Sequence, residues 1–300
     1  MKPINVMSLF NGISCLNVAL DRLYIPINNY YSSEIDKYAN KIAQKNYPNT
    51  IQLGDLTKWK EWDVDFSQID LLVAGFPCQA WSIAGKQKGD NDPRGALVHD
   101  LIDIWQEITM KNPNVKFLFE NVRMKKEFIE YINGLFGTEP ILINSALVSA
   151  QNRKRLYWTN IPNVTQPKDK HIYLKDIIED DAVDRDKSYC IDANYYKGGN
   201  LDQYFRRARK QLVFTDKAQT LLATIYKENP KSMLKRKKFG LLVSDGSYTR
   251  KLSPLECERL QTLPDDYTWG VSNTQRYKCL GNGWTVDVIT HILKQIKERN

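Results

Sequence analysis

Pro77 and Cys78 close the apolar run LLVAGF (71–76), and the polar, glycine-bearing stretch QAWSIAGKQKG follows at once. A thiolate is a competent nucleophile; a cysteine thiol has an unperturbed pKa of about 8.5, and nearby cations lower it. Cations of that kind stand in QNRKR (151–155), where Gln151, Arg153 and Arg155 alternate and so share one face of an extended chain. Glu120, in FENV after the apolar VKFLF, is a carboxyl at the end of a buried strand, placed to exchange a proton. None of the histidines, His99, His171 and His291, has a partner at catalytic spacing, so a cysteine hydrolase would lack its base.

A second group of residues suits a nucleoside. Glu34 lies 22 residues after Gly12, and an acidic side chain about 20 residues past a glycine turn suits the paired hydroxyls of a ribose. Asp55 is placed to accept from an adenine amino group, and Phe10 to stack on a base. There is no GxGxxG or GxxxxGK[ST] phosphate cradle. A nucleoside site without a phosphate cradle favours S-adenosylmethionine over NAD or ATP.

The elements that must position these groups alternate over the first 160 or so residues. INVMSLF, NNYYSSE, NTIQLGD, IDLLVAG and VKFLFEN read as strands. Between them, IDKYANKIAQKNYP reads as a helix stopping at Pro48, and the stretch from Ala96 to Pro113 as a helix with Leu97, Leu101, Ile104 and Ile108 on one face. KKEFIEYINGLFG is a helix with Gly137 as its C-cap, and PILINSALVSAQNRKRLYW is mostly extended. Strands alternating with helices give an α/β fold, a mainly parallel sheet with helices on both faces. In such a sheet ligands sit beyond the carboxyl ends of the strands, where Phe10 to Gly12, Glu34, Asp55, Pro77-Cys78 and Glu120 all fall.

Periodicity weakens between about Lys168 and Arg250, where tyrosines, basic residues and Gly198-Gly199 dominate. Residues 186–250 hold 14 Lys or Arg and 6 Asp or Glu, so this segment carries the whole net charge of +8. Its runs RRARK (206–210) and KRKK (235–238) suit phosphate contact, because clustered cations displace counterions from nucleic acid. Regular structure returns with SPLECERL, where Ser253 is the N-cap, Pro254 opens the first turn and Glu256 completes a capping box. TVDVITHILKQI places Val286, Ile289, Leu293 and Ile296 on one helical face. The five cysteines are odd in number, scattered and without CxxC spacing. They argue for a reducing compartment and against a disulfide framework or a zinc site. No apolar run approaches the roughly 20 residues of a membrane span, the start has no signal-peptide pattern, and a cytoplasmic location is expected.

Taken in order, Pro77-Cys78-Gln79 with Ser82, Glu120-Asn121-Val122, QNRKR, KLSPLECERLQTLPDDY and GNGWTVDVI resemble the DNA (cytosine-5)-methyltransferases. SLFNGISCLNVAL and SEIDKY look like that family's cofactor motifs; the opening third is also similar to animal de novo DNA methyltransferases and to short phage members. The resemblance spans nearly the whole chain except about residues 186–250. It implies a Rossmann-like methyltransferase sheet (1–185 and 279–300) with a smaller irregular target-recognition domain and hinge (186–278). It also implies S-adenosylmethionine as cofactor, with S-adenosylhomocysteine as product, no metal, and double-stranded DNA as partner of a monomer. Cys78 would attack carbon-6 of cytosine, Glu120 would hold nitrogen-3 and the amino group, and Arg155 would contact the ring oxygen with Arg153 nearby. The cofactor would meet Phe10, Gly12, Ile13, Glu34, Ile35, Asp55, Leu56, Pro77, Asn282 and Trp284. Residues 79–89 would close over a flipped base, with Lys86 and Lys88 meeting phosphates. The sequence departs from the family pattern at Ser14 and Cys15, where further glycines are usual, and at Gly283 and Ala84.

A tRNA cytosine-5 methyltransferase and a catalytically silent DNA-binding regulator share much of this pattern; the long basic insert favours DNA, and the presence of Cys78, Glu120 and Arg155 favours an enzyme. Neutralising residues 235–238 is expected to weaken DNA affinity across all sequences and flatten its salt dependence, measured as the slope of log affinity against log salt. An unchanged slope would make the run a solvated face.

Overall fold

The computed structural model describes residues 2–77, 93–179, 182–197, 204–205, 207, 209–215 and 248–297. Cys78, the loop 79–89, Arg206, KAQTLLAT (217–224) and KRKK (235–238) lie outside the described residues.

The chain divides into two compact units: Met1–Asn144 with Lys154–Lys168 and Trp284–Asn300, and Ser145–Arg153 with Asp169–Gly283. In the first unit β1 (Ile4–Leu9), α1 (Cys15–Arg22), β2 (Ile27–Ser33), α2 (Lys37–Asn46), β3 (Ile51–Gln52), β4 (Leu71–Gly75), α3 (Pro93–Lys111), β5 (Lys116–Val122), α4 (Lys126–Phe136), β6 (Ile141–Asn144) and β7 (Lys154–Thr159) follow in order. They form a seven-stranded sheet in the order β3-β2-β1-β4-β5-β7-β6. β1 to β5 run parallel, while β7 is antiparallel to both its neighbours. The order reverses between β1 and β4, which opens a crevice at the carboxyl ends of these two strands.

The central strands read as unbroken apolar runs because both of their faces are buried. Met7, Leu9, Leu72, Ala74, Phe117 and Phe119 point into one core, which α3 and α4 cover. There Trp105 meets the rings of Phe117, Phe119 and Phe136, and Phe136 meets Trp158. Their alternates Val6, Leu71, Val73 and Leu118 are equally buried on the opposite face. α4 ends on Gly137 at φ 66°, the left-handed C-cap that the sequence calls for. The last helix, α7 (Val286–Lys297), packs against α1, and Arg22 pairs with Asp287. Val286, Ile289 and Leu293 are fully buried.

The second unit contains a two-stranded antiparallel ribbon of β8 (Leu212–Thr215) and β9 (Tyr248–Lys251), then α5 (Pro254–Leu260) and α6 (Asn273–Asn282). The expected capping box opens α5: Ser253 Oγ accepts from the Glu256 amide at 3.1 Å, and Glu256 accepts from the Ser253 amide at 2.6 Å. Glu256 is fully buried and is neutralised by a two-pronged contact from Arg250, at 2.7 and 2.8 Å. A buried carboxylate is tolerated only with such a partner. Beside it, burial pushes the Cys257 thiol well above its ordinary range, which makes it inert packing.

The unit boundaries differ from the expected 185 and 279. Residues from 169 onward are stitched to 145–153 by main-chain bonds: the Lys170 amide to Leu147, the Ser188 amide to Ala150, and the Asn152 amide to Ser188, at 2.7, 2.7 and 3.0 Å. Lys187 adds Nζ bonds to the carbonyls of Ala146 and Ser149. At the other end α6 belongs to this unit because Gly281 lies against the main chain of Asp192 and Ala193. A Cβ there would stand 2.1 Å from the Asp192 carbonyl carbon. Gly281→Ala must therefore displace main chain, and the expected loss of about 1–3 kcal/mol or more would be read as a lowered thermal midpoint. An unchanged midpoint would contradict this packing.

Candidate active site

At the carboxyl rim of the first unit, strand register sets which residues meet. Leu9 stands beside Ser33 and Ala74, and Gly75 stands beside Glu120. The residues just past β1, β2 and β4 and the end of β5 therefore share one edge. β7 runs the opposite way, so its start reaches the same edge, with Arg155 paired to Val122.

Glu120 is only 7% exposed. Arg155 Nε meets its Oε1 at 3.0 Å, and Trp284 Nε1 donates to its Oε2 at 3.0 Å. The two oxygens are thus held from different elements, β7 and the residue leading into α7. Trp284 lies against Gly75: a Cβ at Gly75 would come within 2.9 Å of the indole Cζ2 and Nε1. Asn121, also buried, donates from Nδ2 to the Phe76 carbonyl at 3.3 Å, and its Oδ1 accepts from the Val122 amide at 2.8 Å. This ties the end of β5 to the chain entering Pro77. A buried carboxylate with a cation on one oxygen and lone pairs to spare can accept from an amino group and exchange a proton.

The second group surrounds the turn after β1. Glu34 Oε2 accepts from the Gly12 amide at 2.9 Å, and Oε1 accepts from the amides of Ile35 and Asp36, both at 2.8 Å. Phe10, Gly12 and Ser14 have φ values of 55°, 57° and 63°. Only glycine enters that left-handed region freely. At Ser14, where the sequence resemblance leads to the expectation of a glycine, the side chain compensates. Its Oγ accepts from Asn11 Nδ2 at 2.9 Å and Asn17 Nδ2 at 3.3 Å. Asn11 Oδ1 in turn accepts from the Tyr30 hydroxyl at 2.8 Å, and burial raises that hydroxyl's pKa so that it stays a donor.

These residues fit an adenosine-type cofactor. Glu34 is anchored yet keeps lone pairs for ribose hydroxyls, the Cβ position at Gly12 faces open space, and Ile35 beside Glu34 is 78% exposed, an apolar surface for a base. Asp55 is exposed and caps a short 3-10 helix, with Oδ1 accepting from the Thr57 amide at 3.0 Å. Ile13 and Leu56 are buried side chains, Leu56 in the main core. Among the described residues no group of His, Cys, Asp and Glu could hold a metal.

The members of QNRKR fall in different units. Arg155 joins Glu120, whereas Gln151 and Arg153 belong to the second unit. Arg153, expected beside the reacting base, is 4% exposed and donates to main-chain carbonyls: Nη1 to Ile191 at 3.0 Å, Nη2 to Gly281 at 3.1 Å and to Gly283 at 2.9 Å. A guanidinium has donors in several directions, so one side chain reaches three main-chain carbonyls, two of them around the turn at Gly281 and Gly283. Asn282 lies at the exposed end of α6 in that same unit, while Trp284 belongs to the first. In the second unit Asn194, Lys197, Arg207, Arg209 and Lys210 line a cavity of about 200 Å³, with Asp192 pairing Arg209 and Lys210.

The family model for C-5 cytosine-specific DNA methylases matches residues 4–298. The chain belongs to that family. It is 30% identical to the type II methyltransferase M.NlaX of Neisseria lactamica, over 97% of this chain and 96% of that protein. Against M.HhaI of Haemophilus parahaemolyticus the identity is 29% over 98% and 94%. In solved structures, the methyltransferase EhMeth of Entamoeba histolytica matches in fold with a TM-score of 0.70 at 17% identity, covering both chains fully.

Against that family pattern, the link from Trp284 to Glu120 escaped sequence reasoning, which assigned Trp284 to the cofactor. The roles of Asn11 and Asn17 at Ser14 escaped it as well. Ser14→Ala should lose stability by roughly 1 kcal/mol, because the strained φ remains while its hydroxyl acceptor is gone. Ser14→Gly should lose less, since glycine removes the strain. Denaturant midpoints compare the two, and the reverse order would refute this account of the turn.

Proposed function

We propose that this member of the family methylates carbon-5 of cytosine in double-stranded DNA, with Glu120, held between Arg155 and Trp284 at the end of β5, as the group that binds the base. That arrangement carries the reading, because it places a charge-compensated carboxylate one strand away from the chain entering Pro77.

Carbon-5 of cytosine is a poor nucleophile because it belongs to an aromatic ring. Cys78 supplies the remedy: its thiolate bonds to carbon-6, and the electron pair displaced from the ring double bond makes carbon-5 enamine-like. Charge developing on nitrogen-3 and the ring oxygen is met by a proton shared with Glu120 and by the Arg155 guanidinium. Glu34, Ile35 and the Gly12 turn would hold S-adenosylmethionine, which would supply the sulfonium methyl for carbon-5, with S-adenosylhomocysteine as the leaving product. Loss of the carbon-5 proton to a base then expels the Cys78 thiolate and restores the ring.

A base paired inside a duplex is out of reach of Cys78, so it is rotated out, at a cost of a few kcal/mol. The basic segment 186–250 contacts DNA phosphates and reads the site. The protein acts as a monomer in the cytoplasm of a bacterial cell or of a phage-infected one. Among its described residues no helix is long and apolar enough to cross a membrane.

Bisulfite sequencing of DNA from cells expressing the protein should show 5-methylcytosine within a short recurring sequence, and Cys78→Ser should abolish it while cofactor affinity changes less than about threefold. Methyl transfer to tRNA but not to duplex DNA would replace the substrate. Binding of cofactor and DNA with no transfer to any DNA would make the protein a silent regulator.

A further inference from the structure

Trp284 has a role that neither the cofactor assignment nor the family resemblance gives it. Its indole N–H is aimed at Glu120 Oε2, 3.0 Å away, while Arg155 Nε meets Oε1. A carboxylate held only through one oxygen can still swing about its last side-chain bond, a torsion that is broad and weakly restrained. A second donor on the other oxygen removes that freedom. The indole itself cannot drift: its ring lies on Gly75, which has room for no side chain there, and the residues after it are locked. Thr285 and Val286 are buried, α7 packs on α1, and Asp287 is paired with Arg22.

We propose that Trp284 is a positioning residue for the base-binding carboxylate, fixing the plane of Glu120 so that its remaining lone pairs face the amino group and nitrogen-3 of cytosine. This rests on the catalytic reading of Glu120 given above. Gly75 is the other half of the device, because it alone lets the indole come close enough to donate. The carboxyl-terminal helix thereby takes part in base activation.

The test separates the base from the methyl donor. Without S-adenosylmethionine, thiolate attack on carbon-6 lets carbon-5 take up a proton from water, and loss of the original carbon-5 hydrogen to a base, with expulsion of the thiolate, then releases it to solvent. This reaction needs Glu120 and no cofactor. Duplex DNA tritiated at carbon-5 of cytosine is incubated with full-length protein, and release of tritium to water is measured alongside direct cofactor binding. Trp284→Phe keeps a ring on Gly75 and loses the donor. The expected result is roughly 10- to 100-fold slower exchange, the loss of a hydrogen bond to a charged group, with cofactor affinity within about threefold of the parent. Gly75→Ala, which pushes the indole off Glu120 while both side chains remain, should slow exchange in the same way. It also serves as the independent variant if Trp284→Phe does not fold. Exchange at the parent rate with cofactor binding weakened more than about tenfold would make Trp284 a cofactor wall and overturn the proposal. So would parent-rate exchange in Gly75→Ala. If the unmodified protein neither exchanges tritium nor methylates DNA, the catalytic reading itself falls, and this proposal with it.

Discussion

A carboxylate that leaves water must find a charge or hydrogen-bond donors, and Glu120 is where this constraint shapes the molecule most. It ends a parallel strand in the middle of the sheet, with 7% of its surface exposed. A cation must reach it from the same rim. Parallel strands end there and cannot begin there, so a guanidinium carried near the start of a strand needs a strand of opposite direction. β7 is that strand, and Arg155 stands near its start. The antiparallel member of an otherwise parallel sheet is thus tied to the electrostatics of one side chain. The second donor comes from the far end of the chain, which explains why the segment leading into α7 returns to the sheet.

The second unit answers the same constraint differently. Its buried charges are set against main chain and against each other: Arg153 on three carbonyls, Arg250 on Glu256, and Arg276 on Glu258 at 2.9 Å. Among its described residues the strand ladder is limited to the β8–β9 ribbon, and side chains satisfy much of the remaining backbone. Gln151 and Gln261 do likewise, Gln151 accepting from the Ile191 amide at 3.0 Å and Gln261 donating to the Leu280 carbonyl at 2.7 Å. Polar residues that read as surface or as catalytic in a linear sequence are interior scaffolding here.

The turn after β1 shows a third version. Alternate left-handed residues at 10, 12 and 14 accompany the bond from the Gly12 amide to Glu34, and two asparagines stabilise the serine that stands where glycine would be easier. The turn keeps its left-handed geometry although a serine stands where glycine would adopt it freely.

Much of this was legible in the linear chain. Apolar runs of five to seven residues alternating with helical periods specify a buried parallel sheet, because burial of both faces leaves no other pattern. The capping box at Ser253 and the Gly137 cap are local events, and local residues determine them. Glu34, Asp55, Pro77 and Glu120 were placed at strand ends by counting alone. The sequence could not say which partner each buried group would find. Arg153 and Arg155 are two residues apart and identical in type, yet one holds carbonyls and the other a carboxylate. Trp284 and Gly75 are separated by most of the chain and meet at van der Waals distance. Residue type and spacing determined the elements, because these depend on neighbours within a few positions. Only the tertiary structure decided the pairing of charges, because a buried group is satisfied by whatever the fold brings near it, however distant in sequence.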